Sequence, residues 1–157
     1  MKKITFIGLG VMGFPMAGHL SKEGYHVTVY NRSEEKSKLW IKNHIGTYTT
    51  SIKEAVSESD IVFSCVGNDT DLREITLGTD KAFSSMKPGS VFIDHTTTSS
   101  DIAIELFKKA KELDIHFLDA PVSGGEVGAV KGELTVMIGG ENSIFEKIKS
   151  IIAAYAK

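Results

Sequence analysis

An α/β fold built on a mainly parallel, doubly wound sheet is what this sequence predicts, and three observations predict it. Apolar runs of strand length alternate with amphipathic, helix-length stretches from end to end. The apolar runs are mostly continuous, as expected of strands covered by helices on both faces. A cluster of glycines, Gly8, Gly10 and Gly13, stands between the first apolar run and the first amphipathic one.

The elements follow in order. Ile4, Phe6 and Ile7 make a strand over 3–7, and a helix follows over 13–23. Val27 and Val29 mark a strand over 26–30, with a helix over 33–42. A short strand at 45–47 precedes a helix at 52–57. The run ending in Cys65 makes a strand over 61–65, and a helix is expected over 71–77. A strand at 90–94 leads to a helix at 101–112, where Ile102, Leu106 and Ala110 lie on one stripe and Glu105, Lys108, Lys109 and Lys111 mostly elsewhere. Strands at 115–119 and 134–139 and a helix at 143–156 complete the pattern. No linker, repeat or low-complexity tract interrupts it, so residues 1–157 read as a single domain.

Size and composition agree with that reading. The 157 residues suit one domain, since domains run to roughly 100–200 residues. Hydrophobic residues make up 41% and charged residues 24%, which excludes a disordered or fibrous chain. With 18 Lys and Arg against 20 Asp and Glu, the formal charge is −2, and no basic excess is present to neutralise a nucleic-acid backbone. No stretch approaches the roughly 20 apolar residues that span a bilayer. A lone cysteine, Cys65, can form neither an internal disulfide nor a cysteine metal cluster, which fits a reducing compartment. A cytoplasmic protein with no nucleic-acid, membrane or metal partner is the expectation.

Gly8-Leu9-Gly10-Val11-Met12-Gly13 is a GxGxxG placed between a strand and a helix near the N-terminus. That context turns a weak pattern into a strong dinucleotide-binding signal. Gly8 permits the tight turn, Gly10 lets the backbone approach a pyrophosphate, and Gly13 lets helix and strand pack closely. The free N–H groups at the helix start then face the phosphates.

The second strand bears on the type of dinucleotide. An NAD site places Asp or Glu at its end to hold the ribose hydroxyls. Here the strand runs into Asn31-Arg32-Ser33, with Lys36 beyond. The Arg32 guanidinium can clasp a 2′-phosphate, and Ser33 and Lys36 can add a hydroxyl, an N–H and a charge. NADP is therefore the expected cofactor, with NAD the alternative. Asn31 as a turn residue and Ser33 as a helix N-cap are a compatible second reading.

These residues carry a resemblance. The stretch from Gly8 to Gly13, continuing Phe14-Pro15-Met16-Ala17 with Gly24-Tyr25 after it, resembles the N-terminal signature of the β-hydroxyacid dehydrogenases. That family includes 3-hydroxyisobutyrate dehydrogenase, tartronate semialdehyde reductase and the glyoxylate/succinic semialdehyde reductases, and 6-phosphogluconate dehydrogenase is a relative. Asp119-Ala120-Pro121-Val122-Ser123-Gly124-Gly125, with Gly128-Ala129, Gly132-Glu133-Leu134 and Gly139-Gly140, is similar to the family's substrate-binding stretch. Imine reductases share the N-terminal architecture, but the 119–125 stretch resembles the hydroxyacid branch more closely. Asn31-Arg32-Ser33 with Lys36 is similar to the NADP-type pattern of the family.

The resemblance implies a Rossmann-type NADP-binding domain in which the whole glycine turn, Leu9, Val11 and Met12 included, contacts the cofactor. Ser123, Gly124 and Gly125 would anchor the substrate's carboxylate and hydroxyl, and a Ser hydroxyl with successive Gly amides at a helix start does make an anion nest. Thr97 would contact the nicotinamide, and Cys65 and Val66 would belong to the loop over the adenosine half. Many members carry proline where this chain has Gly67. His95, Asp94 and Asp119 stand near this region but read as packing or turn-capping residues, and Cys65 as a buried thiol.

The family's catalytic lysine lies in a glycine-flanked stretch leading into an all-helical second domain, and this sequence holds no such stretch. The resemblance thus implies a homo-oligomeric parent enzyme that moves hydride between a nicotinamide cofactor and a small hydroxy acid, semialdehyde or 2-oxo acid, of which this chain carries the cofactor cradle and substrate loop without a catalytic residue. The final helix is followed at once by Lys157, with no polar tail, as in a fragment. A non-catalytic NADP-binding module, or half of an assembly, complete as given, is the second reading.

Overall fold

The structure, a computed structural model, describes residues 2–157. Strands β1 (Lys3–Ile7), β2 (His26–Tyr30), β3 (Thr47–Tyr48), β4 (Ile61–Ser64), β5 (Val91–Asp94) and β6 (His116–Asp119) form one sheet in the order β3-β2-β1-β4-β5-β6. Every pairing in it is parallel. This is the doubly wound Rossmann order, in which the winding reverses between β1 and β4 and ligands sit outside the carboxyl ends of the strands.

The register sorts the side chains into rows. Val29, Phe6, Phe63, Ile93 and Leu118 lie side by side across five strands. All five are buried on one face, against Met16, Ala17 and Leu20 of α1 (Gly13–Lys22), Trp40 of α2 (Glu34–Asn43) and the isoleucines of the last helix. One residue away, Val62, Phe92 and Phe117 form the row on the opposite face. They pack on α3 (Ile52–Ser57), α4 (Asp69–Thr76), α5 (Ala82–Ser85) and α6 (Ser100–Glu112). A strand with both faces covered is apolar at consecutive positions, which is why these runs do not alternate.

Side-chain caps set several helix starts. Asn68 Oδ1 accepts from Asp71 N–H at 2.9 Å, so α4 begins at Asp69 rather than at the expected 71. Ser51 and Ser99 cap α3 and α6 in the same way. The four-residue α5 has too short an apolar pattern to be read from sequence.

The C-terminal third departs most from expectation. The segment 134–139 is not a seventh parallel strand. Its only regular part, β8 (Thr135–Val136), pairs antiparallel with β7 (Val122–Ser123), and Asp119 and Gly139 exchange both backbone hydrogen bonds, at 3.0 and 2.7 Å. The chain leaves β6 at Asp119, enters β7 after two further residues, and comes back beside it only after α7 (Gly125–Lys131), a glycine-rich helix with weak intrinsic preference. The last helix, α8 (Asn142–Ile152), stops four residues before the expected end. Residues 153–155 form a turn that drives Tyr155 into the core, and Ala156 bridges to Leu134.

Tyr155 closes a buried polar link. Its hydroxyl lies 2.7 Å from His95 Nε2, while His95 Nδ1 lies 2.7 Å from Ala120 O. A carbonyl can only accept, so Nδ1 carries the proton and Nε2 accepts from the tyrosine. Burial pushes His95 down to about 4, keeping the ring neutral, and pushes the Tyr155 phenol up. Removing the hydroxyl strands a buried acceptor. Tyr155→Phe should therefore lower unfolding stability by about 1–3 kcal/mol, read from urea midpoints at unchanged slope.

Candidate functional site

β1 delivers the chain to the centre of the sheet's carboxyl edge, where there is almost no room. Gly8 donates its N–H to Tyr30 O at 2.9 Å, and its φ of 98° is one that side chains resist. A Cβ there would lie 2.2 Å from Cys65 O, and one at Gly13 would lie 1.9 Å from Gly8 O. Gly10 differs: nothing stands within 4 Å of its Cβ position. The turn thus leaves open space at the one glycine expected to face a pyrophosphate. α1 then starts with no side-chain cap and no acid in its first turn, so its N–H groups remain available to an anion.

The end of β2 lies beside this turn. Asn31 Oδ1 accepts from Leu9 N–H at 2.8 Å, and Asn31 Nδ2 donates to Ser33 O at 3.0 Å. Asn31 therefore clips the glycine turn to the loop that presents Arg32. Ser33 occupies the N-cap position of α2, yet its hydroxyl makes no capping hydrogen bond. Arg32 extends into solvent, its side chain 82% exposed, with Nη1 3.6 Å from Asp71 Oδ1.

A cavity of about 470 Å³ opens between these loops and α4. Of the residues expected to hold cofactor, it brings together Gly8, Gly10, Val11, Met12, Gly13, Asn31, Arg32, Ser33, Lys36, Cys65 and Val66. Leu9 is not among them, because its side chain is buried in the core and its N–H is taken by Asn31. Thr97 lies exposed in the loop after β5, and Ser123, Gly124 and Gly125 lie exposed after β6, all outside the cavity. They share its edge of the sheet, however. From the end of β2 to the end of β6 is four strand spacings, ~19 Å, along one line. The cavity is also lined by Asp71, Glu74 and Lys81, which the sequence reading did not single out. The Asn68 cap, which makes Asp71 a first-turn residue of α4, is a local signal for where that helix starts, not for its place over the cavity.

Between the two halves of that line, Asp94 ties strand ends together. Its Oδ1 accepts from Ser64 Oγ at 2.7 Å and from Thr96 N–H and Oγ1 at 3.2 and 2.7 Å, and Thr96 Oγ1 in turn accepts from Val66 N–H at 3.0 Å. Its Oδ2 is buried without a partner. Burial pushes Asp94 up to about 6, against the pull of those hydrogen bonds. Burial, with Asp94 beside it, pushes the half-buried Cys65 thiol up to about 12 and leaves it protonated and unreactive. Asp119 is raised by burial as well. Asp94 Oδ1 is thus committed to the strand ends around it, in keeping with the turn-capping reading of that residue.

Residues 3–157 match the family model described as the NAD binding domain of 6-phosphogluconate dehydrogenase. The chain belongs to that family. An uncharacterized oxidoreductase of Shewanella frigidimarina is 50% identical over 157 residues, covering 100% of this chain and 54% of that protein. The 2-(hydroxymethyl)glutarate dehydrogenase of Eubacterium barkeri is 36% identical over 155 residues, 99% of this chain and 51% of its own. Among solved structures, 3-hydroxyisobutyrate dehydrogenase of Mycobacterium tuberculosis with L-serine superposes with a TM-score of 0.93 at 31% identity, over 99% of this chain and 52% of that one. This NAD-binding domain therefore spans about half the length of the oxidoreductases it matches. Among its described residues no helix is long and apolar enough to cross a membrane.

The glycine geometry separates folding from binding. Gly8→Ala should destabilise the domain by at least about 2 kcal/mol through strain at positive φ and collision with Cys65 O. Gly10→Val should leave the thermal midpoint near that of the natural chain while abolishing dinucleotide binding. Thermal unfolding and calorimetric titration of the two variants check both halves.

Proposed function

We propose that this chain is the NADP(H)-binding domain of an oxidoreductase that transfers hydride between the nicotinamide and a small 3-hydroxy acid or its semialdehyde, or a 2-oxo acid. The observation that carries the cofactor preference is the end of β2, where no carboxylate stands and Arg32, Ser33 and Lys36 border the cavity. The Ser33 hydroxyl is uncommitted to its helix, and the Arg32 fork is solvent-exposed beside it. Together they offer charged and neutral donors to a 2′-phosphate. Gly10 and the uncapped start of α1 would receive the pyrophosphate.

When bound, the nicotinamide supplies the hydride chemistry. The chain's own part is to hold and orient. Thr97 would meet the nicotinamide end, and Ser123, Gly124 and Gly125 would hold the substrate's carboxylate and hydroxyl through one hydroxyl and two amides. The line of strand ends supports this division, since it runs from the Arg32 loop past the glycine turn to Thr97 and Ser123. Gly124 at φ 131° and Gly125 at φ 61° give the start of α7 a backbone that glycine adopts far more readily than other residues. Lys157 is engaged with Glu133 at 3.0 Å and with Leu134 O through its N–H, so it is not assigned the proton-handling role. That role falls to a lysine outside this chain, in a homo-oligomeric parent enzyme. The free Cys65 fits a reducing, cytoplasmic setting.

Arg32→Ala should weaken NADPH about 10- to 100-fold and NADH far less, because a charge-assisted hydrogen bond to the 2′-phosphate is lost. Calorimetric titration with both cofactors decides it, and equal weakening of the two would refute the NADP assignment. The 157-residue chain should also bind NADPH yet fail to oxidise it with glyoxylate or succinic semialdehyde, since a positioned general acid contributes about 10²- to 10⁴-fold. Turnover near 1 per second or faster, in the range of ordinary enzymes, would mean an acid within this chain does the work.

A further inference from the structure

Across the cavity from Arg32 stands a carboxylate that the cofactor reading leaves unexplained. Asp71 Oδ1 is 3.6 Å from Arg32 Nη1, and the Asp71 side chain is only 27% exposed. Its position is built. Its N–H is fixed by the Asn68 cap at 2.9 Å, which holds it in the first turn of α4. Its other oxygen lies over Gly67, where a Cβ would come within 2.4 Å of Oδ2. A side chain at position 67 would push the carboxylate from this place. Glu74, one turn along, and Lys36 and Lys81 line the same cavity, so the mouth carries three cations and two carboxylates with Arg32 included.

We propose that Asp71 is a specificity-determining residue that holds Arg32 in the free chain and opposes the 2′-phosphate, narrowing the preference for NADPH over NADH that Arg32 would otherwise impose. The proposal rests on the reading of Arg32 given above. The chemistry is asymmetric. A phosphate oxygen cannot donate to a carboxylate, so a 2′-phosphate that takes Arg32 leaves Asp71 unpaired beside a second anion. A ribose 2′-hydroxyl can donate to the same carboxylate and leaves the Arg32–Asp71 pair in place. With Arg32 so exposed, the pair itself adds little stability and exchanges readily. Asp71 thus supplies from α4 the carboxylate that the end of β2 lacks.

The test is calorimetric titration of NADPH and NADH into the natural chain, Asp71→Asn, Asp71→Ser and Arg32→Ala. Asp71→Asn should raise the NADPH-to-NADH affinity ratio about two- to fivefold, as expected for removing one partly exposed like charge. Asp71→Ser should move it the same way, and guards against an effect peculiar to the amide. An unchanged or lowered ratio in both Asp71 variants overturns the proposal. If Arg32→Ala shifts the ratio while the Asp71 variants do not, only the role of Asp71 falls. If Arg32→Ala leaves the ratio unchanged, the reading of Arg32 fails and the role of Asp71 with it.

Discussion

The close passage of Gly8 between Tyr30 O and Cys65 O is the contact on which the rest of the site depends. Backbone must meet backbone there, because β1 lies at the point where the winding of the sheet reverses and its exit loop has strands on both sides. Gly13 repeats the condition one turn later, packing the start of α1 onto the Gly8 carbonyl. With both closures made, the uncapped end of α1 stands over the carboxyl edge. Asn31 then fastens the loop of β2 to the same turn through Leu9. The glycine turn and the loop after β2 are positioned together by main-chain contacts and the one Asn31 side chain.

Along the rest of that edge the polar groups serve the scaffold. Asp94 gathers Ser64 and Thr96 into a bridge between β4 and β5, and His95 reaches from β5 to Ala120 and Tyr155. Both lie in the row where a reacting group would also have to stand. Burial drives each toward its neutral form, upward for the carboxyl and downward for the imidazole. A neutral, fully bonded histidine is a poor proton donor at physiological pH.

Much of this was legible in the sequence because the signals were strong and local. Continuous apolar runs marked the strands of the parallel sheet, and Gly8, Gly10 and Gly13 sit between strand and helix as their spacing requires. The Asn31-Arg32-Ser33 loop fell beside them because β2 must neighbour β1. What could not be read was set by contacts distant in sequence. Leu9 looks like any other residue of the glycine turn until Asn31, 22 positions away, takes its N–H. Asp71 and Lys81 enter the cavity only because α4 and the start of α5 fold over β4. The antiparallel return at 134–139 pairs with residues 119–123 on the far side of α7, and an apolar run carries no record of its partner's direction. Thr97 and Ser123–Gly125 fall on the expected edge but lie beyond the cavity itself.

The Tyr155–His95 link also bears on how this unit can be moved as a module. Helix α8 ends at Ile152, and a splice drawn at the end of regular structure would seem natural. Yet the next five residues carry the phenol that satisfies His95, the carbonyl that accepts from Leu134 N–H, and the Lys157 N–H that donates to Leu134 O. A chimera joined at Ile152 would open the β5 end of the sheet and strip Leu134, the residue before β8, of its main-chain partners. For grafting or recombination the working boundary of this Rossmann unit is set by a buried hydroxyl three residues past its last helix, rather than by the helix itself.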